Sequence, residues 1–162
     1  MAELTNLETK LGEVIGLAMA AQAATERVEK LTEDRQLKKA LQTMRKEAAK
    51  AEKDGTAVAA GMNGKKGKIL KEARSVKTKG ANMMKTYLER GSDELDGFEF
   101  LTMAEAGEVG HWAVLEQLNR QAKHPGVREL VREHLPIQRR HFKEVNAASL
   151  QLAAKEDANA EA

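Results

Sequence analysis

The chain contains no cysteine among its 162 residues. Disulfides, zinc–thiolate sites and thiol-based catalysis are therefore excluded, and a reducing compartment suits the chain. Only two prolines, Pro125 and Pro136, and few aromatic residues are present (three Phe, one Trp and one Tyr). Because Ala, Glu, Lys and Leu dominate instead, the composition favours α-helices and gives little support for strands.

The chain also lacks any long apolar run. No stretch approaches the roughly 20 apolar residues that a membrane-spanning helix requires. Residues 1–6 lack the basic start and apolar run of a secretory signal. These features predict a cytoplasmic protein without a membrane partner. Length and the small net charge of +2 predict a single domain over residues 1–155, followed by an acidic, frayed tail over 156–162.

Apolar residues recur at spacings of three and four in five segments, which is the period of an amphipathic helix. A break is indicated at Gly61–Gly64 and a tight turn at Lys123–Gly126, where Pro125 is suited to open the last helix. Pro136, inside that helix, should bend it. The pattern predicts an all-α fold, an antiparallel bundle of two long helical hairpins joined by a helical crossover. The five segments are residues 4–28, 37–58, 69–87, 101–122 and 127–152.

Four ionisable residues interrupt the apolar stripes of the last two helices. Glu108, His111, His134 and His141 all occupy stripe positions. A charge in a core row is costly unless it is paired or bound to a cation. These residues therefore mark the part of the sequence where a functional site is expected.

The antiparallel register around the Lys123–Gly126 turn groups several polar side chains. It places Glu108 opposite His141 and His111 opposite Gln138, within roughly 10 Å of each other. Imidazole and carboxylate together suit divalent iron, manganese or zinc, and the Glu-x-x-His spacing directs both side chains into one layer of a bundle. The sequence therefore predicts a metal site. Its ligands would be Glu105, Glu108, His111, His141 and Glu144.

The same residues also allow a purely structural interpretation. Glu108 and His141 would form a buried charge-assisted hydrogen bond, and Gln138 would satisfy His111. Such a pair can fix the register of two helices without doing chemistry. The sequence leaves the metal site and the structural pair open as alternatives.

Three further rings have structural interpretations. His134 is typical of a core histidine whose hydrogen bonds are satisfied, and Trp112 is expected to pack against a neighbour. His124, in the turn, is expected to be solvated. None of the three is predicted to bind a ligand.

Two segments of the last hairpin resemble the ferritin-like superfamily, most closely the small bacterial ferritin-like proteins of the YciE/YciF stress type. They are Phe100–Trp112 (FLTMAEAGEVGHW) and Leu135–Phe142 (LPIQRRHF). The plan of two hairpins and a crossover extends the resemblance over most of the chain. The resemblance implies binding of iron or another divalent transition metal and a stress-related or redox-related role. It names no substrate, and any activity would be metal-dependent oxidation.

The sequence departs from the usual di-iron site of that superfamily, which takes Glu from two helices and Glu-x-x-His from each of the other two. Neither of the first two helices contains histidine, and the fifth carries the reversed order His141-x-x-Glu144. Glu26, Glu47 and Gln22 are the first-half residues that could complete a site. A mononuclear site, an altered dinuclear site and a site that has lost its metal all stay open.

A second candidate function arises from the crossover. Residues 62–85 hold eight basic side chains, and Glu72 is the only acid. The helix predicted over 66–89 could contact nucleic-acid phosphates or an acidic partner. A run of charged residues usually only forms the solvated face of a helix, however. The segment also lacks interleaved aromatic side chains on which bases could stack. The alternative function is that of a non-enzymatic interaction protein. The sequence leaves open whether the chain forms a homodimer. The basic residues are Lys65, Lys66, Lys68, Lys71, Arg74, Lys77, Lys79 and Lys85.

Overall fold

A computed structural model describes residues 2–161 of the chain and contains, within them, five α-helices and no strand. The predicted all-α class and the five helical segments are confirmed. The helices are α1 (Asn6–Leu31), α2 (Arg35–Ala60), α3 (Lys66–Tyr87), α4 (Glu94–Ala122) and α5 (Pro125–Ala153).

The described residues that follow the last helix are exposed. Residues 154–161 follow α5 as exposed turns. Met1 and Ala162, which end the predicted domain and the predicted tail, lie outside the described residues. No helix within residues 2–161 is both long enough and apolar enough to cross a membrane.

Side-chain caps determine where α1 and α4 begin. The Thr5 hydroxyl accepts a hydrogen bond from the Glu8 amide at 3.2 Å, and the Glu8 carboxylate accepts one from the Thr5 amide at 2.8 Å. Asp93 and Asp96 repeat this reciprocal arrangement at 2.9 Å in both directions. Each pair satisfies amides that the first helical turn leaves free.

The turn between α4 and α5 is held by side chains rather than by its backbone alone. Asn119 donates to the His124 carbonyl at 3.0 Å and accepts from the His124 amide at 2.9 Å. His124, expected to be solvated, is half-buried, and its Nδ1 accepts from the Val127 amide at 3.3 Å and caps α5. Pro125 occupies the first turn of α5, and the helix continues through Pro136. The bend at Pro136 stays a prediction.

Close backbone contact joins α1 to α3. A Cβ atom added at Gly16 would lie 2.3 Å from the Ala73 carbonyl oxygen, and one at Gly12 would lie 2.8 Å from the Ile69 carbonyl oxygen. α3 therefore packs mainly on α1, whereas it barely touches α4. This packing leaves a space between α3 and α4, and α1 forms its third side.

Two apolar clusters fill the bundle, one toward each end. The first includes Leu11, Ile15 and Leu115, and the second includes Leu41 and Leu101. Along α4 and α5 the residues between the clusters are polar and buried. A polar layer thus separates the two apolar regions, and it is formed by Glu105, Glu108, Gln138 and His141.

Candidate metal centre

The polar layer is almost completely enclosed. Glu105 is 2% exposed, Glu108 5%, Gln138 6% and His141 3%. Each helix contributes two residues spaced by three, so both of its side chains point toward the facing helix. The Gln138 side-chain amide donates a hydrogen bond to Glu105. Since charges are rarely left in such a setting without a partner, this layer is the natural place to look for a bound cation.

His141 lies between two carboxylates. Its Nε2 is 3.2 Å from Oε1 of Glu47, which α2 contributes, and its Nδ1 is 3.9 Å from Oε2 of Glu105. The other oxygen of Glu47 accepts from Arg140 at the surface. The two ring nitrogens therefore have separate partners on opposite sides of the imidazole.

Burial controls the ionisation of the layer. It raises the pKa of Glu105 to about 7, although the hydrogen bond from Gln138 acts in the opposite direction. Burial, followed by the neighbouring charge of Glu105, raises the pKa of Glu108 well above its ordinary value. Burial lowers the pKa of His141, against the effect of Glu47. Without a cation, the layer therefore favours protonated carboxyl groups and a neutral imidazole.

The side-chain carboxyl of Glu108 has no hydrogen bond within residues 2–161, where burial and the charge of Glu105 alone affect its ionisation. Every fully enclosed polar side-chain atom in that range has a hydrogen-bond partner. The oxygens of Glu108 must consequently face open space rather than packed atoms. A buried carboxyl in this state can still accept a hydrogen bond or bind a cation.

An ion-sized cavity adjoins this carboxyl. Its volume is about 10 Å³, and Glu47, Glu108, Gln138 and His141 line it together with His134. That volume is close to the minimum that holds a single water molecule. Carboxylate and imidazole groups around one such space form a donor set that suits a divalent transition metal. The donor types therefore suit a single ion, although among the described residues only Asp54, Glu133 and His134 already have ligand atoms within 4.8 Å of one another, so Glu47, Glu108 and His141 would have to move closer together to bind one.

His111, one of the five predicted ligands, lies outside this layer. Its Nδ1 is 3.2 Å from Oε2 of Glu13 and 3.1 Å from Nζ of Lys10, both on α1, and its side chain is 43% exposed. The predicted contact between His111 and Gln138 is wrong. Each step of three residues leaves an offset of about 60° around the helix, so His111, two steps beyond Glu105, lies about 120° around α4 from it and points toward α1.

Glu144 is also separated from the layer. It is exposed and pairs with Arg140 at 3.2 Å on the surface of α5. The offset again accumulates over two steps of three residues, from Gln138 to Glu144, and turns Glu144 away from the layer. The structure thus brings together Glu105, Glu108 and His141 of the predicted set and leaves the other two members apart.

Glu47 joins the layer from the first half of the chain. Sequence reasoning named it beside Glu26 and Gln22 as a residue that could complete a site, without distinguishing among them. Glu26 is exposed and pairs with Lys30 at 3.5 Å, and Gln22 donates to Glu52. No local signal separates Glu47 from Glu26, because buried residues also flank Glu26 on both sides (Thr25 and Val28).

A second group of ligand-type atoms was missed by sequence reasoning. One atom each from Asp54, Glu133 and His134 lie within 4.8 Å of one another. Lys50 already supplies a positive charge there, because its ammonium contacts Asp54 at 2.6 Å and also Glu133. The protein itself therefore already places one cation on both carboxylates of this group.

His134 behaves as expected of a core histidine. Its Nε2 lies 2.9 Å from Oδ2 of Asp54, and its ring packs on Trp112 with the ring centroids 5.7 Å apart. Both rings are buried. The structural interpretations of His134 and Trp112 are confirmed.

The fold and this layer define the chain as an all-α bundle with a buried carboxylate–imidazole centre. Comparisons with models of protein families, with curated proteins and with solved structures find no significant match. The resemblance to ferritin-like proteins therefore rests on the chain's own residues.

Proposed function

We propose that this chain is a ferritin-like bundle that binds one divalent transition-metal ion between α2, α4 and α5. Glu47, Glu108 and the Nε2 atom of His141 would be its protein ligands. The observation that carries the proposal is the carboxyl of Glu108, which is buried, has no hydrogen bond within residues 2–161 and lies beside a cavity of about 10 Å³. A cation there would satisfy this carboxyl and offset its burial.

The remaining layer residues suit a supporting role. A histidine that binds metal through one nitrogen commonly donates its other N–H to a carboxylate, which orients the ring. Glu105 lies 3.9 Å from Nδ1 of His141, and Gln138 in turn holds Glu105 through a hydrogen bond. In this arrangement Glu105 and Gln138 position His141 rather than bind the ion.

The donor set favours a mononuclear site. Ala18 is the α1 residue that lines the small cavity, so α1 supplies no carboxylate there. A carboxylate–imidazole site of this kind suits iron(II), manganese(II) or zinc(II). Iron, together with a stress-related or redox-related role, is the assignment that the ferritin-like resemblance supports.

Elemental analysis of protein purified without a metal-affinity tag tests the proposal. We expect near-stoichiometric iron, manganese or zinc in the wild type, and loss of that metal in Glu108→Gln and His141→Asn. Glu144→Gln and His111→Asn are matched controls, since they change predicted ligands that lie outside the layer, and both should retain the metal. Asp54→Asn should retain it too, because Lys50 already contacts both carboxylates of that cluster.

Two results would count against this site. If neither purification nor incubation with ferrous, manganous or zinc salts loads the wild type, the chain binds no such metal. If Asp54→Asn loses metal while Glu108→Gln keeps it, the ion binds at the surface cluster instead.

The outer face of α3 supports a second candidate function, in which the chain contacts a polyanion. α3 carries seven basic side chains and one acidic side chain. Lys71, Arg74 and Lys77 are exposed, and none has an ion-pair partner within residues 2–161. Lysine and arginine without interleaved aromatics favour sequence-independent contact with phosphates.

A further inference from the structure

A second, larger cavity lies on the opposite side of α4 from the candidate metal centre. It is bounded by α1, α3 and α4 and has a volume of about 190 Å³. It exists because α3 packs on α1 and leaves α4 almost untouched. An engineered cavity of about 150 Å³ holds benzene, so this one has room for a ligand slightly larger than a benzene ring.

The walls of the cavity are largely apolar. Leu17, Ala21 and Ala24 of α1 form one side, and Phe100 of α4 lies opposite. Half-exposed methionines, Met83 at 46% and Met103 at 38% exposed, also line it. Methionine side chains are flexible and polarisable and adapt to ligands of varied shape. These walls suit the hydrocarbon part of a small ligand.

The polar groups of the cavity are mainly acidic. Glu105 and Glu108 line it, and His111 is the remaining ionisable group. Glu105 is engaged with Gln138, and His111 with Glu13 and Lys10. Among these three side chains, the carboxyl of Glu108 alone has no hydrogen bond to the described residues. A ligand that places a hydrogen-bond donor with positive charge at this end would satisfy the one polar group that the protein leaves unpaired.

We propose that the cavity between α1, α3 and α4 binds a small amphiphilic amine, with its hydrocarbon part among the alanines and methionines and its amino group on Glu108. The site goes beyond the proposed metal centre and does not depend on it, because it uses the other face of α4. Both ligands would draw on Glu108, so metal and amine compete for the protein.

Two glycines of α4 provide a matched pair of variants. Gly107 lines the cavity and Gly110 does not. A Cβ atom added at either position meets nothing within 4 Å. The first side-chain atom of a leucine is therefore accepted at both, and the substitution removes a helix-interior glycine at both. Gly107→Leu should occupy the cavity, whereas Gly110→Leu should leave it open.

Binding is measured on metal-free protein by titration calorimetry with benzylamine, and with benzyl alcohol as the uncharged analogue. We expect wild type and Gly110→Leu to bind benzylamine alike and Gly107→Leu to bind it at least roughly tenfold more weakly, since the apolar contacts are lost. Wild type should prefer benzylamine to benzyl alcohol by roughly tenfold, the usual strength of a charge-assisted hydrogen bond. Glu108→Gln should lose most of that preference.

Methyl NMR of methionine gives a readout that needs no variant. Benzylamine should shift the signals of Met83 and Met103, which line the cavity, and leave those of Met44 and Met62 in the apolar clusters unchanged. Equal binding by the two leucine variants, or shifts confined to Met44 and Met62, would overturn the cavity as the site. An amine preference unchanged in Glu108→Gln would overturn the carboxyl as the recognition group.

Amine binding and metal binding can succeed or fail independently in these measurements. Amine binding by chelated protein that never loads metal would support the cavity and reject the metal centre. Metal loading without benzylamine binding would do the reverse. If both hold, added manganese should weaken benzylamine binding in wild type, because the two ligands share Glu108.

Discussion

Glu105 and Glu108 are one helical turn apart and equally buried, yet their surroundings differ. Glu105 accepts a hydrogen bond from Gln138 and lies 3.9 Å from His141. Glu108 has neither kind of partner within residues 2–161 and faces cavities on two sides of α4. The residue with fewer protein contacts is therefore the one with capacity to bind a ligand.

The raised pKa of Glu105 predicts how the stability of metal-free protein depends on pH. The ordinary pKa of 4.5 in the unfolded chain rises to about 7 in the fold. Between those values the unfolded chain releases a proton that the folded chain keeps, so the free energy of unfolding falls as pH rises. The loss attributable to Glu105 is at most about 3 kcal/mol and is complete above pH 7.

Urea denaturation of chelated protein at pH 4.5 and pH 7.5 checks this. Glu105→Gln should gain stability relative to wild type at the higher pH, with much less difference at the lower pH. Glu144→Gln, at an exposed position, is the matched control and should not reproduce the effect. A wild type that becomes steadily more stable across this interval, relative to Glu105→Gln, would contradict the raised pKa.

Among the elements, α1 and α3 are distinguished by how closely their backbones approach. The glycines of α1 face carbonyl groups of α3, as the 2.3 Å separation from a Cβ at Gly16 shows. Backbone atoms cannot move aside as a flexible side chain can. The position of α3, and hence the cavity between α3 and α4, depends on the absence of side chains at these positions.

Alanine substitutions at two glycines should therefore have opposite effects. Gly16→Ala forces α1 and α3 apart and should destabilise the protein by about 1–3 kcal/mol. Gly110→Ala, where a Cβ meets nothing within 4 Å, should stabilise α4 by about 0.5–1 kcal/mol. Thermal and urea unfolding of both variants measure the difference. Equal effects at the two positions would show that helix propensity, rather than the close approach, governs both.

Across the whole molecule, charge is unevenly distributed. The chain has a net charge of +2, but α3 alone holds seven basic residues and one acid. The rest of the molecule is therefore net negative. An uneven field of this kind steers anionic partners toward one face and depends on ionic strength.

If α3 contacts a polyanion, binding to duplex DNA should weaken steeply as salt rises, because counterion release drives it. Changing Lys71, Arg74 and Lys77 to Glu should reduce affinity by more than about tenfold at low salt. A triple Glu variant at Lys39, Lys46 and Lys53 of α2 changes net charge equally. Fluorescence anisotropy compares the two, and equal losses would show that net charge, rather than the α3 face, controls binding.

The helices were predictable because their signals are local. Thr5 and Glu8 form a capping box from residues three apart, and Pro125 opens α5 from the first turn. Periodic apolar residues then specify the buried face of each helix. Such features depend on neighbours within one or two turns, so the sequence alone determines them.

The site was predictable only in part, because its composition depends on angles between helices. The stripe positions of Glu108 and His141 marked the layer correctly. Helical spacing could not decide whether His111 points into the layer or toward Glu13, since an offset of about 60° separates the two outcomes. Glu47 could not be distinguished from Glu26 before the rotation of α2 was known.

The sequence by itself determined an all-α chain of five helices, their caps and turns, and a polar interruption in the last hairpin. These follow from local hydrogen bonding and apolar periodicity. Tertiary structure decided that Glu47 joins Glu105, Glu108 and His141, and that a cavity opens between α3 and α4. Those features depend on how closely whole helices approach each other and how far each rotates about its axis. Contacts between residues distant in the chain control both.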